Sequence, residues 1–208
     1  MEIEVNNPTA IEEKSMQIIA GALDKLDCTA EELITIKRVV HATAEPELAR
    51  QVRFSPDAVN RAKNLLRQGA DIITDVSMLQ AGINKVKLAE YGGQVKCFIA
   101  DSEVRSQAEK TGLTRSIMAM RKAIKLKQPK IFAIGNAPTA LFELIRLYQL
   151  ENQAIDFLIG TPVGFVGAAE SKAELNKQDF PFITLLGRRG GSAVAAAIVN
   201  SLLYQLAD

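Results

Sequence analysis

The chain has 208 residues, 48% of them hydrophobic and 24% charged, and its 25 basic and 24 acidic side chains leave a net charge of +1. That balance excludes an intrinsically disordered chain and a global basic field of the kind that draws nucleic acid, so any anionic ligand has to be met locally. A chain of this length buries roughly 70% of its unfolded surface and holds a core without disulfides or a structural metal. It reads as one domain over residues 1–208, with a helical segment 1–70 packed on a core 71–208.

No run approaches the ~18 apolar residues of a spanning helix. The opening MEIEVNNPTAIEEK is acidic where a signal peptide is basic and then apolar. Cys28 and Cys97 are far apart and outside any CxxC pattern, which suits free thiols in a reducing compartment, and a single histidine excludes an imidazole-rich metal site. The expectation is a cytoplasmic protein with no membrane or nucleic-acid partner and no metal.

In chain order, Ile11, Ile18, Ile19, Leu23 and Leu26 fall near a 3.6-residue period, and Thr29-Ala-Glu-Glu is a capping-box pattern opening a second helix. Ser55-Pro56-Asp57 places an N-cap residue before a proline at the start of a third helix, and Gly69 sits where that helix stops. No strand signal precedes residue 71.

From there the pattern changes to short apolar runs: Asp71–Val76, Val95–Ile99, Lys130–Ile134, Ile155–Ile159 and Phe182–Leu186. The intervening segments include the helical stretches Thr114–Lys127, Pro138–Glu151 and Val166–Asn176, and Ser192–Leu206 follows the last strand. Strands alternating with helices predict a three-layer α/β/α fold around a five-stranded parallel sheet, flavodoxin-like in its order 2-1-3-4-5.

Ligands of such a sheet bind beyond the carboxyl ends of its strands. Here those ends run into Thr74-Asp75, Ala100-Asp101-Ser102, Gly135-Asn-Ala-Pro-Thr139, Gly160-Thr-Pro-Val-Gly-Phe-Val-Gly167 and Gly187-Arg-Arg-Gly-Gly-Ser192. Three of these loops lead directly into helices, whose free N–H groups and partial positive charge suit anions. Arg188 and Arg189 add two guanidinium forks able to grip carboxylate or phosphate. Taken singly, glycines also serve simply to turn the chain. There is no GxxxxGK[ST], and the strand-three loop lacks GxGxxG spacing, so no nucleotide cofactor site is expected.

His41 lies near the end of the second helix, in Lys37-Arg-Val-Val-His-Ala-Thr43. By pattern alone it reads as a helix-end histidine; by chemistry it is the one side chain that exchanges a proton near neutrality without a large shift. Arg38, three residues earlier, shares its helical face. Arg115 opens a helix, where a cation opposes the dipole, with Glu109 or a ligand anion as its compensation. Lys172 follows the strand-four glycines and is open to both a ligand role and that of an ordinary solvated lysine. The residues by themselves reach as far as cofactor-free acid/base chemistry on a polyanion.

Taken together, Ala10-Ile-Glu-Glu-Lys-Ser15, Arg38-Val-Val-His-Ala-Thr43, Phe54-Ser-Pro56, Asp75-Val-Ser-Met-Leu-Gln-Ala-Gly-Ile83, Thr114-Arg-Ser116, Ala133-Ile-Gly-Asn-Ala-Pro-Thr-Ala-Leu141, Pro162-Val-Gly-Phe-Val-Gly-Ala-Ala-Glu-Ser-Lys172 and Gly187-Arg-Arg-Gly-Gly-Ser192 give the chain a whole-length resemblance. It resembles the precorrin-8X methylmutases, also called cobalt-precorrin-8 methylmutases, of corrin biosynthesis. The resemblance implies an isomerase that moves a methyl group between adjacent ring-C carbons of a precorrin, giving hydrogenobyrinate or its cobalt counterpart, with no external cofactor. It further implies a flavodoxin-like fold, a homodimer with substrate near the subunit interface, His41 as the residue that protonates the macrocycle, and Ser15 as a substrate contact.

A corrinoid precursor is an apolar macrocycle fringed by carboxylates and calls for a broad cleft with many donors at its rim. The rim candidates are Arg38, Thr43, Arg115, Asn136, Thr161, Gly164, Ser171, Lys172, Arg188 and Arg189, with Arg115 foremost. Two positions depart from the family pattern: Ala20 stands where many members carry arginine, and Glu45 where aspartate is common. A non-catalytic corrinoid carrier is the alternative reading, and an enzyme acting on a phosphorylated metabolite a third.

Overall fold

The computed structural model describes residues 7–23 and 25–206; the acidic opening Met1–Asn6 lies outside them. In chain order the elements are α1 (Pro8–Ala22), α2 (Ala30–Thr43), a 3-10 helix (Pro46–Gln51), β1 (Val52–Phe54), α3 (Ala58–Arg67), β2 (Asp71–Thr74), α4 (Ser77–Gly82), α5 (Lys85–Ala89), β3 (Val95–Cys97), α6 (Ser102–Thr111), α7 (Arg115–Ala123), β4 (Lys130–Ile134), α8 (Pro138–Glu151), β5 (Phe157–Gly160), α9 (Ala168–Leu175), β6 (Phe182–Leu185) and α10 (Ser192–Tyr204). Among the described residues no helix is long and apolar enough to cross a membrane, and both cysteines are free.

The sheet corrects the sequence expectation. It has six strands in the order β3-β2-β4-β5-β6-β1 and is mixed. The strands β2 to β6, which the sequence shows, are mutually parallel. The added strand β1 runs antiparallel to β6, with Val52 opposite Leu185 and Phe54 opposite Ile183. Three residues on a sheet edge are too short to register as a period-2 pattern, and their pairing partner lies far along the chain.

Alternation along the buried strands builds a core on each face. Ile131, Ala133, Phe157, Ile159, Ile183 and Leu185 pack with α2, α3 and α10, whereas Phe132, Ile134, Leu158 and Phe182 pack with α7 and α8. Thr35 of α2 meets Ser201 of α10 at 3.2 Å inside the first core, so the N-terminal helices are built into the sheet's covering layer. 

Local signals set most boundaries. Thr29 caps α2 in a complete capping box with Glu32, and Thr114 caps α7. α1 ends at Ala22, one turn before Leu26, because Leu23 is already extended. Ser55 does not cap α3: its hydroxyl accepts from the Phe182 amide at 2.9 Å and extends the β1–β6 contact, while Asp57, in the left-handed region, precedes the helix.

Candidate active site

The carboxyl ends of β4, β5 and β6 carry three loops that interlock through their backbones. The Thr161 amide donates to the Ile134 carbonyl at 2.8 Å, the Gly191 amide to the Thr161 carbonyl at 2.8 Å, and the Gly164 amide to the Arg188 carbonyl at 3.1 Å. Gly190 is held at φ +152°, where a Cβ would stand 2.3 Å from the Thr161 carbonyl oxygen, so only glycine closes this turn. Above the loops Phe165 and Val166 stand 84% and 89% exposed, beside the half-exposed Val163. Arg188 lies over the Phe165 ring at 6.0 Å and has no ion-pair partner among the described residues. An apolar platform edged by guanidinium is what a flat, carboxylate-fringed ligand requires.

α2 reaches the same edge. Ala44 adopts the left-handed conformation and ends the helix, and the Thr43 hydroxyl donates to the Val39 carbonyl at 3.0 Å while accepting from the Glu45 amide at 3.3 Å. Just beyond, Glu45 and Glu47 both pair with the Arg189 guanidinium, the latter at 3.1 Å. His41, one turn before Glu45, is exposed. On the other side of the edge, the Thr114 hydroxyl donates to that of Thr139 at 3.4 Å, which sets Arg115 beside the start of α8. Arg115 lines an open hollow of about 500 Å³ with Arg105, Glu109 and Leu113. It forms no ion pair with Glu109, and its charge is unmatched among the described residues.

A match to the family model of precorrin-8X methylmutase spans residues 10–205. The chain belongs to the precorrin-8X methylmutase family. It is 46% identical to the cobalt-precorrin-8 methylmutase of Priestia megaterium, across 94% of this chain and 87% of the relative. With the Salmonella typhimurium enzyme of the same name it shares 42% identity across 98% of each. Among solved structures, the precorrin-8X methylmutase from Thermus thermophilus superposes with a TM-score of 0.89 at 33% identity, covering 96% of this chain and 97% of that one. The activity of this methylmutase is an isomerisation in corrin biosynthesis, the shift of a methyl group.

The methylmutase fold gathers His41, Thr43, Arg115, Asn136, Thr161, Gly164, Lys172, Arg188 and Arg189 around one sheet edge, but not all of them face outward. Lys172 is fully buried; its Nζ donates to the Arg189 carbonyl at 2.5 Å, and burial lowers its pKa to about 8. The solvated-lysine reading is therefore wrong. Ser171 is equally buried and donates to the Ala168 carbonyl at 3.1 Å, and the buried Thr161 hydroxyl has no partner among the described residues. Ser15 and Arg38 sit on the α1–α2 flank: the Ser15 hydroxyl donates to the Ile11 carbonyl at 2.8 Å, while Arg38 pairs with Glu12 at 2.6 Å and lies 5.8 Å over the Tyr204 ring.

One residue of the methylmutase edge escapes sequence reading. Asp75, fully buried after β2, accepts from the amides of Gly135 at 3.0 Å, Asn136 at 2.8 Å and Ala137 at 2.6 Å. Burial pushes its carboxyl above the usual range, against the pull of those three donors. The loop that leads from β4 into α8 is thus tied down by the protein's own carboxylate, and its amides are not offered to a ligand. No side-chain cap closes the start of α8, α9 or α10. Its position at a strand end was the available signal; the partner amides sixty residues away were not visible.

Proposed function

We propose that this methylmutase protonates its macrocyclic substrate from His41 while the sheet edge holds the ring in the reactive geometry. The observation that carries the reading is the placement of the chain's single imidazole, exposed on a helix end that Arg189 ties to the glycine-rich loops. The apolar face of the substrate lies on Phe165, Val166 and Val163, and its carboxylates meet Arg115 and Arg188, two guanidiniums with no ion-pair partner among the described residues. A proton given to the macrocycle withdraws electron density from the ring and lowers the barrier to migration; it is returned once the methyl has moved. The shift is intramolecular and redox-neutral, so atoms and electrons balance without a co-reactant.

General-acid assistance of this kind contributes about 10²–10⁴-fold, and fixing the geometry supplies much of the remainder. Residues 1–70 and 71–208 act as one unit, because the proton donor belongs to the first and the rim to the second. Two copies pair as a homodimer, the commonest closed assembly. Cobalt, where present, enters as part of the substrate; the Priestia and Salmonella relatives carry the cobalt-precorrin name, which makes cobalt-precorrin-8 the first substrate to try.

The test is the visible spectrum of cobalt-precorrin-8 and of precorrin-8X incubated with wild type and with His41→Ala, followed by product mass. The expected result is a new chromophore at unchanged mass, slowed at least about 10²-fold in the variant. Full turnover by the variant removes His41 as the donor. Binding without conversion of either substrate points instead to a carrier.

A further inference from the structure

Arg189 is gripped at both ends. Its carbonyl accepts the buried ammonium of Lys172 at 2.5 Å, and its guanidinium pairs with Glu45 and, at 3.1 Å, Glu47. The flanking backbone is fixed by the bonds from Gly164 to the Arg188 carbonyl and from Gly191 to the Thr161 carbonyl. The anchor is therefore rigid, and its charge is already met by two carboxylates.

What it anchors is the exit of α2. The amide of Glu45 is bonded to the Thr43 hydroxyl, which in turn donates to the carbonyls of Val39 and Val40, one turn back in the helix, at 3.0 and 3.3 Å. A second attachment follows at the end of the 3-10 helix, where the Leu186 amide donates to the Gln51 carbonyl at 2.9 Å. His41 sits in the last turn of α2, which ends at Thr43, two residues before Glu45. Side-chain directions on a helix are set by its axis and rotation, so the attachment of the exit also aims the imidazole.

We propose that Arg189 and Glu45 are positioning residues that aim His41 at the sheet edge, with Lys172 holding the Arg189 backbone from beneath, rather than ligands of a substrate carboxylate. This rests on His41 as the proton donor. Arg189 is 54% exposed and Glu45 36%, and E45Q keeps the shape of its side chain while R189Q only shortens its own, so neither substitution opens a cavity in the core.

Because His41 is the only histidine, its imidazole carbon-proton NMR signal reports on it without assignment. That signal, with kcat and KM on cobalt-precorrin-8, is measured in wild type, E45Q, R189Q, the double variant and E45D. Positioning predicts that both single variants move the ring signal in the same direction, lower kcat about fivefold with KM within about twofold, and that the double variant is no worse than either. E45D restores most of the activity. Ring shifts of opposite sign would show only a change in local charge and overturn the proposal. A raised KM in R189Q at unchanged kcat, with E45Q silent, would overturn it in favour of substrate binding by Arg189. A coordinated ring shift with unchanged kcat supports the positioning and sinks the proton-donor reading instead.

Discussion

Replacing Lys172 with methionine should make the protein more stable while slowing it. The lysine is fully buried with a backbone carbonyl as its partner, and its pKa falls from the 10.5 of a free lysine to about 8. A fall of that size corresponds to about 3 kcal/mol of unfavourable burial of the charge at neutral pH. Methionine fills a similar unbranched volume, and the carbonyl it leaves without a donor takes back about 1 kcal/mol. The net expectation at pH 7 is a gain of about 2 kcal/mol, or about 1 M in urea midpoint. Below pH 8 folded and unfolded chains both carry the proton and the full cost is present. Between about 8 and 10.5 the unfolded chain holds it more firmly, so wild-type stability rises with pH relative to the variant, and the gain has largely gone by pH 10. Paired urea titrations at pH 7 and pH 10 check both halves. A variant less stable than wild type at pH 7, or a gain indifferent to pH, would refute the argument that the buried ammonium is a cost carried for position.

Asp75→Ala strips the acceptor from three amides, those of Gly135 and Ala137 in buried surroundings, and should cost about 3–5 kcal/mol in urea unfolding; a loss under about 1 kcal/mol would mean the loop holds itself. Gly190→Ala forces a Cβ to within 2.3 Å of the Thr161 carbonyl oxygen at φ +152° and should destabilise by about 2–4 kcal/mol, read as a lowered Tm. Arg115→Ala removes an unmatched guanidinium from the rim and should raise KM about tenfold or more with a smaller change in kcat; unchanged KM would take Arg115 out of the site. Phe165→Ser alters a side chain that is 84% exposed, so stability should stay within about 0.5 kcal/mol while KM rises.

The sequence by itself determined the elements whose causes are local. The capping box at Thr29, the Pro138 start of α8 and the apolar run Lys130–Ile134 each carry their signal within a few residues, and helix and strand formed where those signals stood. The same patterns placed the glycine-rich loops at strand ends, and family motifs marked His41 and Arg115. Ser55 shows the limit: its motif is that of a helix cap, but a backbone amide of Phe182 offers it a better partner. Tertiary structure alone decided the edge strand β1, the capture by Asp75 of the amides between β4 and α8, the burial of Lys172 beneath Arg189, and the pairing of Arg189 with Glu45 and Glu47. Each joins groups distant in sequence, and a charged side chain carries no local mark of whether its neighbour will be water, a carboxylate or a carbonyl. That choice is made by packing, because only packing fixes which polar groups lose their water and must find a partner inside the protein.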